Sequence, residues 1–156
     1  VAPMPCPHGV YFYQDEQHAN TPWGPRPDFG SAQVREYLLT YLDMLMVEVG
    51  VSGFRFDSTV CIHRAGGTAD ACWALDAHTN SDGVTFLQQA TQLIHSKGRV
   101  SVAEDLQDDA VVTMPVSAGG HGFDLQWSDA YNAAVTSMFI SAREASSGDF
   151  LSNEPS

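Results

Sequence analysis

Two short apolar runs, each ending in a carboxylate, carry the clearest structural pattern of this chain. The first is Val51-Ser52-Gly53-Phe54-Arg55-Phe56-Asp57, and the second is Arg99-Val100-Ser101-Val102-Ala103-Glu104. Runs of this length that are rich in β-branched and aromatic residues are typical of buried strands. We therefore expect Asp57 and Glu104 to stand at the ends of two strands.

Helical patterns separate these strands. After a candidate N-cap at Ser31, apolar residues recur on one helical stripe until Gly50. The members of this stripe, which we interpret as core, are Val34, Tyr37, Leu38, Tyr41, Leu42, Leu45 and Val49. A second helix is predicted from about Val84 to Ser96, with Asp82 near its start and Gly98 as its stop.

A third short strand is predicted at 123–126, before a helix from 130 to about 144. Residues 1–30, 61–80 and 105–122 are interpreted as mostly irregular because proline, glycine and polar residues interrupt every pattern there. The alternation of helices and strands predicts an α/β domain with a parallel sheet, either doubly wound or closed into a barrel.

The composition limits the classes of ligand. The chain has 156 residues with 19 acidic and 7 basic side chains, which gives a net charge of −12. Such a body repels nucleic acid and anionic membranes, whereas neutral sugars meet no such penalty. No apolar run approaches the ~20 residues of a membrane span. The opening residues, 1–5, do not form a signal peptide, so the chain is expected to be processed or to begin inside a longer protein. The compartment stays open.

Cysteines, histidines and clustered aspartates give no metal signature. A Cys61–Cys72 pair is possible, and so are three free thiols that include Cys6. The six histidines are scattered, so neither a metal nor another cofactor is expected. For the acidic loop of Asp105, Asp108 and Asp109, a solvated loop is favoured over a calcium site.

Asp57 and Glu104 are the candidate catalytic pair, because reactive side chains gather at the carboxyl ends of parallel strands. Strand alternation places Arg55 on the same face as Asp57, where its charge favours the ionised aspartate that a nucleophile requires. Partial burial of Glu104 in an apolar strand favours the protonated form that an acid requires. This division of labour is that of glycosidases.

Other residues are candidates for substrate contact. Trp127 follows a strand end, His63 lies six residues beyond Asp57, and Asp105 is next to Glu104. Trp23 and Trp73 could also stack on sugar rings, although packing is the commoner role of tryptophan.

Several motifs resemble one family. Gly53-Phe54-Arg55-Phe56-Asp57-Ser58 resembles the nucleophile motif of the α-amylase family of glycoside hydrolases and transglycosidases, and Val102-Ala103-Glu104-Asp105 resembles its acid/base motif. Three flanking runs are similar to the branching-enzyme and trehalohydrolase side of that family. They are Thr21-Pro22-Trp23-Gly24, Arg26-Pro27-Asp28-Phe29-Gly30 and Gly122-Phe123-Asp124-Leu125-Gln126-Trp127.

The resemblance implies part of a (β/α)8 TIM barrel, about its fourth to sixth strands with their helices. Residues 31–146 would be the partial catalytic domain, preceded by the loop region 1–30 and followed by a loose tail, 147–156. Asp57 would form a covalent glycosyl-enzyme, Glu104 would serve as acid/base, and Arg55 would position the nucleophile. The substrate would be a starch- or glycogen-like α-glucan, cleaved at α-1,4 bonds with retention. Water as acceptor gives hydrolysis, and a glucan hydroxyl gives branching.

Two family motifs, expected at the third and seventh barrel strands, are not found, so the third catalytic carboxylate is missing from these 156 residues. We therefore expect the isolated piece to be inactive, with a longer polypeptide or other chains completing the barrel. Two alternatives stay open. One is a non-catalytic structural or binding subunit derived from the barrel within a larger assembly. The other is an unrelated α/β enzyme that uses Asp57 and Glu104 to bind metal.

Overall fold

The computed structural model describes residues 10–15, 18–66, 71–73 and 77–150. Short 3-10 turns occupy Ala71–Trp73 and Val116–Ala118. The helices and strands follow one another in the order β1 (Asn20–Thr21), β2 (Gly24–Pro25), α1 (Ala32–Met44), β3 (Gly53–Phe56), α2 (Val60–His63), β4 (Arg64–Ala65), β5 (His78–Thr79), α3 (Ser81–Ser96), β6 (Val100–Ala103), β7 (Leu125–Gln126) and α4 (Asp129–Phe150).

A three-stranded parallel sheet of order β3-β6-β7 is the centre of the fold. Gly53 pairs with Val100 and Phe56 with Ala103, so β3 and β6 run side by side over their full lengths. Gly53 permits this approach, because a Cβ at that position would collide with the carbonyl of Val100. The predicted α/β class with a parallel sheet is confirmed.

The main core lies between the sheet and the first long helices. Helix α3 packs against α1, α2 and β6. The ring of Phe29 stacks on that of Phe86 at 4.9 Å, and Phe56 meets Phe123 edge to face at 5.3 Å. The other buried members of this core are Tyr13, Leu87, Ala90, Ala103 and Val112. These contacts fix β3 and β6 to the helices and thereby fix the positions of their carboxyl ends.

The predicted core stripe of the first helix is wrong in part. Val34 is buried, but Tyr37, Tyr41 and Val49 are exposed. Helix α1 packs against α3, and the apolar stripe is wider than the surface that α3 covers. Part of the stripe therefore stays exposed. Beyond Met44 the chain also continues as a π-helical turn, Leu45–Val49, whose wider i→i+5 spacing rotates later residues away from the stripe. The predicted stop at Gly50 is correct, with a left-handed φ of 79°.

Capping explains the differences at the starts of two helices. Helix α3 begins at Ser81 rather than near Val84, because the Asn80 side chain caps it by accepting from the amide of Gly83. Ser31 stands at the cap position of α1 without a side-chain cap bond. The carboxylate of Asp28 accepts from the Ser31 amide at 3.3 Å instead.

Segments interpreted as irregular contain small ordered elements. Residues 61–80 hold α2 and the antiparallel β4-β5 hairpin, and part of 1–30 holds the β1-β2 hairpin. The third strand is shorter than predicted, since the amide of Phe123 bonds to Val112 rather than to a strand neighbour. The first part of the expected loose tail, through Phe150, is helical. The residues outside the described part of the chain are 1–9, 16–17, 67–70, 74–76 and 151–156.

A disulfide joins Cys61 and Cys72, with an S–S distance of 1.99 Å. Of the two alternatives left open by the sequence, pairing is therefore correct for these cysteines, while Cys6 lies outside the described residues. Within the described part of the chain, no helix combines the length and apolar character needed to cross a membrane.

Candidate active site

The two candidate acids lie at the same edge of the sheet. The amide of Glu104 donates to the carbonyl of Phe56 at 2.9 Å, which extends the pairing of β3 and β6 to the strand ends. Asp57 directly follows Phe56, so both carboxylates leave their strands at the same level. This arrangement is the one expected for adjacent parallel strands that end in acids.

Arg55 bridges the two carboxylates. Its Nη1 lies 2.7 Å from Asp57 Oδ1, and its Nη2 lies 2.8 Å from Glu104 Oε2. The guanidinium also lies over the ring of Trp127, 4.4 Å from the ring centroid. The Asp57 side chain is 72% exposed despite its ion pair. One arginine therefore holds both acids in place and leaves the aspartate open to solvent.

The turn after β3 adds a second link to Glu104. Ser58 has a left-handed φ of 44°, and its amide donates to Glu104 Oε2 at 3.0 Å. The amide of Thr59 donates to the carbonyl of Glu104 at 3.0 Å. The Glu104 side chain is 22% exposed. Its strand neighbours are apolar, but the carboxyl group turns towards a guanidinium and a backbone amide.

Asp105 lies beneath this edge and is fully buried. Its Oδ2 lies 2.8 Å from His63 Nε2 and 3.1 Å from the hydroxyl of Thr59. Burial raises the pKa of this carboxyl, but the bond and charge of His63, with smaller effects of the Gln107 amide and the Thr59 hydroxyl, hold it below its usual range.

The expectation of a solvated acidic loop is therefore wrong for Asp105, although Asp108 and Asp109 are exposed. Asp105 follows β6 directly and turns inward, where the turn after β3 supplies its partners. His63 and Asp105, both candidates for substrate contact, are buried against each other, whereas Asp57 is exposed.

His121 joins this buried group, and nothing in the sequence spacing indicated it. Its ring centroid lies 4.6 Å from that of His63. Burial, with a smaller effect of the His63 charge, lowers the pKa of His121 to about 4, against the opposing charges of Asp105 and Asp109. Its buried Nδ1 has no hydrogen-bond partner among the described residues.

The two acids border different recesses. Glu104 lines a cavity of about 600 Å³ together with Gln126, Trp127 and Tyr131. Asp57 lines a shallow cleft of about 120 Å³ whose other wall includes Trp23. Trp127 is partly exposed and borders the larger cavity while its ring contacts Arg55. A ligand that entered either recess would meet one carboxylate of the bridged pair.

Within the described ranges, no group of three or more His, Cys, Asp or Glu side chains is arranged to hold a metal ion. Asp57 and Glu104 already share the charge of Arg55. The cation at the centre of this site is therefore part of the protein, which disfavours the alternative of a metal held by these two acids.

Comparison with known proteins gives a consistent set of relatives, although no family model matches the chain. The 1,4-α-glucan branching enzyme GlgB of Synechococcus sp. (strain RCC307) is 29% identical over 136 residues, which cover 77% of this chain and 18% of that enzyme. The GlgB of Leifsonia xyli subsp. xyli (strain CTCB07) is 30% identical over 118 residues, 71% of this chain and 16% of that enzyme.

A fungal relative extends the match further along the chain. The 1,4-α-glucan-branching enzyme of Emericella nidulans is 28% identical over 151 residues, which cover 90% of this chain and 22% of that enzyme. The chain thus spans about a fifth of the length of the curated relatives that it matches. The resemblance to the branching-enzyme side of the α-amylase family is thus confirmed, since the chain contains a region that is similar to 1,4-α-glucan branching enzymes.

Proposed function

We propose that this chain carries the nucleophile and the acid/base of a retaining enzyme that acts on α-1,4-glucans. The observation that carries the proposal is the Arg55 bridge, which joins an exposed aspartate and a half-buried glutamate at the ends of adjacent parallel strands. Two carboxyl groups on opposite sides of one reacting bond are the requirement of glycoside chemistry. The branching-enzyme relatives add support for the substrate class.

Each residue of the bridge takes one part in the reaction. An Asp57 oxygen attacks the anomeric carbon and forms an ester while the bond from that carbon to the leaving oxygen breaks. Glu104 gives its proton to the leaving oxygen. It later takes a proton from the acceptor hydroxyl, whose oxygen bonds to the anomeric carbon as the ester bond to Asp57 breaks. Arg55 orients Asp57, and the Ser58 amide orients Glu104.

The acceptor decides the product. A water molecule gives hydrolysis, and a hydroxyl of another glucan chain gives a branch. We favour transfer to a glucan hydroxyl, because the relatives that match this chain are branching enzymes. Both reactions share the ester on Asp57, so both depend on the same bridged carboxylates.

We also propose that the sheet is part of a (β/α)8 barrel, about its fourth to sixth strands, within a partial catalytic domain of residues 31–146. Among the described strands, β3 and β7 form the edges of the sheet, and each has a neighbour on one side alone. Large apolar side chains are exposed on α1 and α4, including Tyr37, Tyr41, Met138 and Phe139. Exposed apolar groups of this size favour cover by further protein. The remainder of the barrel would supply the third carboxylate.

Substrate contact is proposed for Trp127, which borders the larger cavity beside Glu104. For His63 and Asp105 we propose a supporting role. Their buried pair anchors Thr59, whose hydroxyl donates to Asp105 and whose amide donates to the Glu104 carbonyl. These two residues would then affect the reaction indirectly, by positioning Glu104.

The test uses the full-length polypeptide that carries these residues, with amylose as substrate. Asp57→Asn and Glu104→Gln are compared with a control, Asp108→Asn, which changes an exposed aspartate in the loop after β6. New α-1,6 branches are counted after debranching, and reducing ends report hydrolysis. We expect both site variants to lose at least about 10³-fold in rate, as for other essential catalytic groups. The control should stay within about twofold of the parent. A site variant that retained a tenth of the parent rate would refute the assignment.

A further inference from the structure

Two tryptophans form an exposed pair on the Asp57 side of the site. The rings of Trp23 and Trp73 meet edge to face, with centroids 5.4 Å apart and planes at 85°. Their side chains are nevertheless 65% and 39% exposed. Burying aromatic surface is favourable, so two neighbouring rings left in water indicate a surface that something else covers.

Both rings are held by short-range constraints rather than by burial. Trp23 occupies the turn of the β1-β2 hairpin, where its amide donates to Thr21 Oγ1 at 3.3 Å. Trp73 directly follows Cys72, whose disulfide to Cys61 ties it to α2. Cys61, Cys72 and Val60 form a small buried cluster. The pair is thus pre-organised. A ligand that binds to it therefore loses little free energy in ordering the two side chains.

Trp23 lines the cleft that borders Asp57, and Trp73 is joined to this cleft through its ring contact with Trp23. Trp23, Asp57, Ser58 and Cys61 line the same recess. Glu104 and Trp127 line the other cavity. The two tryptophans therefore extend the surface of the site outward from Asp57.

We propose that Trp23 and Trp73 form a glucan-binding subsite that stacks on glucosyl units next to Asp57; this deepens the proposed function and rests on it. Pyranose rings present an apolar face of C–H groups that packs on an indole plane, and their hydroxyls stay in water. Two perpendicular indoles offer one ring face and one ring edge to a curved α-glucan chain. A net charge of −12 disfavours anionic occupants and leaves a neutral sugar unaffected.

Binding of maltoheptaose to the full-length polypeptide tests the subsite separately from catalysis. The Asp57→Asn background keeps the ligand intact, and calorimetry gives the Kd. We expect Trp23→Ala and Trp73→Ala each to weaken binding at least about tenfold, the loss typical of a truncated aromatic anchor. Trp23→Phe and Trp73→Phe should stay within about threefold of the background, because a smaller ring still stacks. Asp108→Asn, at an exposed aspartate of the loop after β6, is the control and should not change the Kd.

A second measurement locates the ligand. The protein is labelled with 5-fluorotryptophan, and the phenylalanine variants assign the ¹⁹F signals of Trp23 and Trp73. Titration with maltoheptaose should shift both signals, and the Kd from these shifts should equal the calorimetric Kd. Signals that ignore maltoheptaose, or alanine variants that bind like the background, would overturn the subsite. Signals that change with protein concentration instead, alongside dimers in sedimentation, would overturn it in favour of a second copy of the chain. Tryptophan-dependent binding in a polypeptide without activity on amylose would retain the subsite and reject the proposed function.

Discussion

The amide of Ser58 donates a hydrogen bond to Glu104 Oε2 at 3.0 Å, so the turn after one strand holds the acid that ends its neighbour. Ser58 reaches this position with a φ of 44°, which residues with a Cβ adopt at a cost of about 1–2 kcal/mol. Backbone strain of this kind persists where surrounding contacts enforce it, and it clusters at functional sites. Here the strained residue aims a donor at the proposed acid/base.

Substitution of Ser58 should separate strain from function. Ser58→Gly keeps the amide and removes the Cβ, so we expect the free energy of unfolding to change by less than about 1 kcal/mol, because the relief of strain opposes the greater entropy of the unfolded chain. Ser58→Val should lower it by at least about 1 kcal/mol, since β-branched residues strongly disfavour positive φ. Urea denaturation measures both. Equal stability of the two variants would contradict the strain.

Replacement of Arg55 by lysine tests the bridge. Lysine keeps the positive charge but lacks the two-pronged guanidinium that reaches both carboxylates at 2.7 and 2.8 Å. One hydrogen bond to a charged group contributes about 1.5–3 kcal/mol, so we expect kcat on amylose to fall about 10- to 100-fold. Initial rates of the full-length polypeptide measure it. An unchanged kcat would show that the charge alone is sufficient.

The buried Asp105–His63 pair should behave as one unit. Asp105→Ala leaves the His63 imidazole without its 2.8 Å partner, and we expect a loss of about 3–5 kcal/mol in the free energy of unfolding. His63→Leu in the Asp105→Ala background should cost much less than His63→Leu alone. A double-mutant cycle by urea denaturation measures this coupling. Additive losses would indicate that the two side chains act independently.

His121 should make the protein sensitive to mild acid. Its pKa is lowered from 6.5 to about 4 in the folded protein, so between these values the unfolded chain binds more protons. The free energy of unfolding therefore falls as the pH drops from about 6.5 to about 4, by about 3 kcal/mol for this group. The Asp105 contribution, whose folded pKa is also lowered, is lost at lower pH, below about 3.8.

His121→Gln removes the titrating ring and should flatten the stability profile between pH 4 and 6.5. Chemical denaturation at half-unit pH steps compares this variant with the parent. The neighbouring groups His63, Asp105 and Asp109 remain in the variant, so they do not account for a difference in slope. Parallel profiles for the two proteins would contradict the lowered pKa.

The central part of the site follows from local sequence rules. Alternation along a strand places Arg55 on the face of Asp57, and parallel pairing places Glu104 beside it. These rules depend on residues two apart in one strand and on the shared direction of two strands. Both features are visible in Gly53–Phe56 and Val100–Ala103 without coordinates.

The supporting part of the site depends on contacts between distant segments. His63 and Asp105 are 42 residues apart, and no spacing rule connects either one to His121. The hydrogen-bond donors to Glu104 could not be predicted for the same reason, because they come from Arg55 and the turn at Ser58 rather than from its own strand. The exposed stripe on α1 could not be predicted for a different reason. Periodicity identifies an apolar face of a helix, but it does not show whether other residues cover that face.

Covalent trapping of the nucleophile is the most direct test of the central claim. The full-length polypeptide is incubated with a fluorinated α-glucosyl fluoride, whose slow turnover allows a glycosyl ester to accumulate, and the labelled peptide is sequenced by mass spectrometry. The Arg55-bridged site predicts one glycosyl adduct, on Asp57, which is absent from Asp57→Asn and present in Asp108→Asn. An adduct on another carboxylate, or turnover of the reagent without any ester on Asp57, would contradict the account.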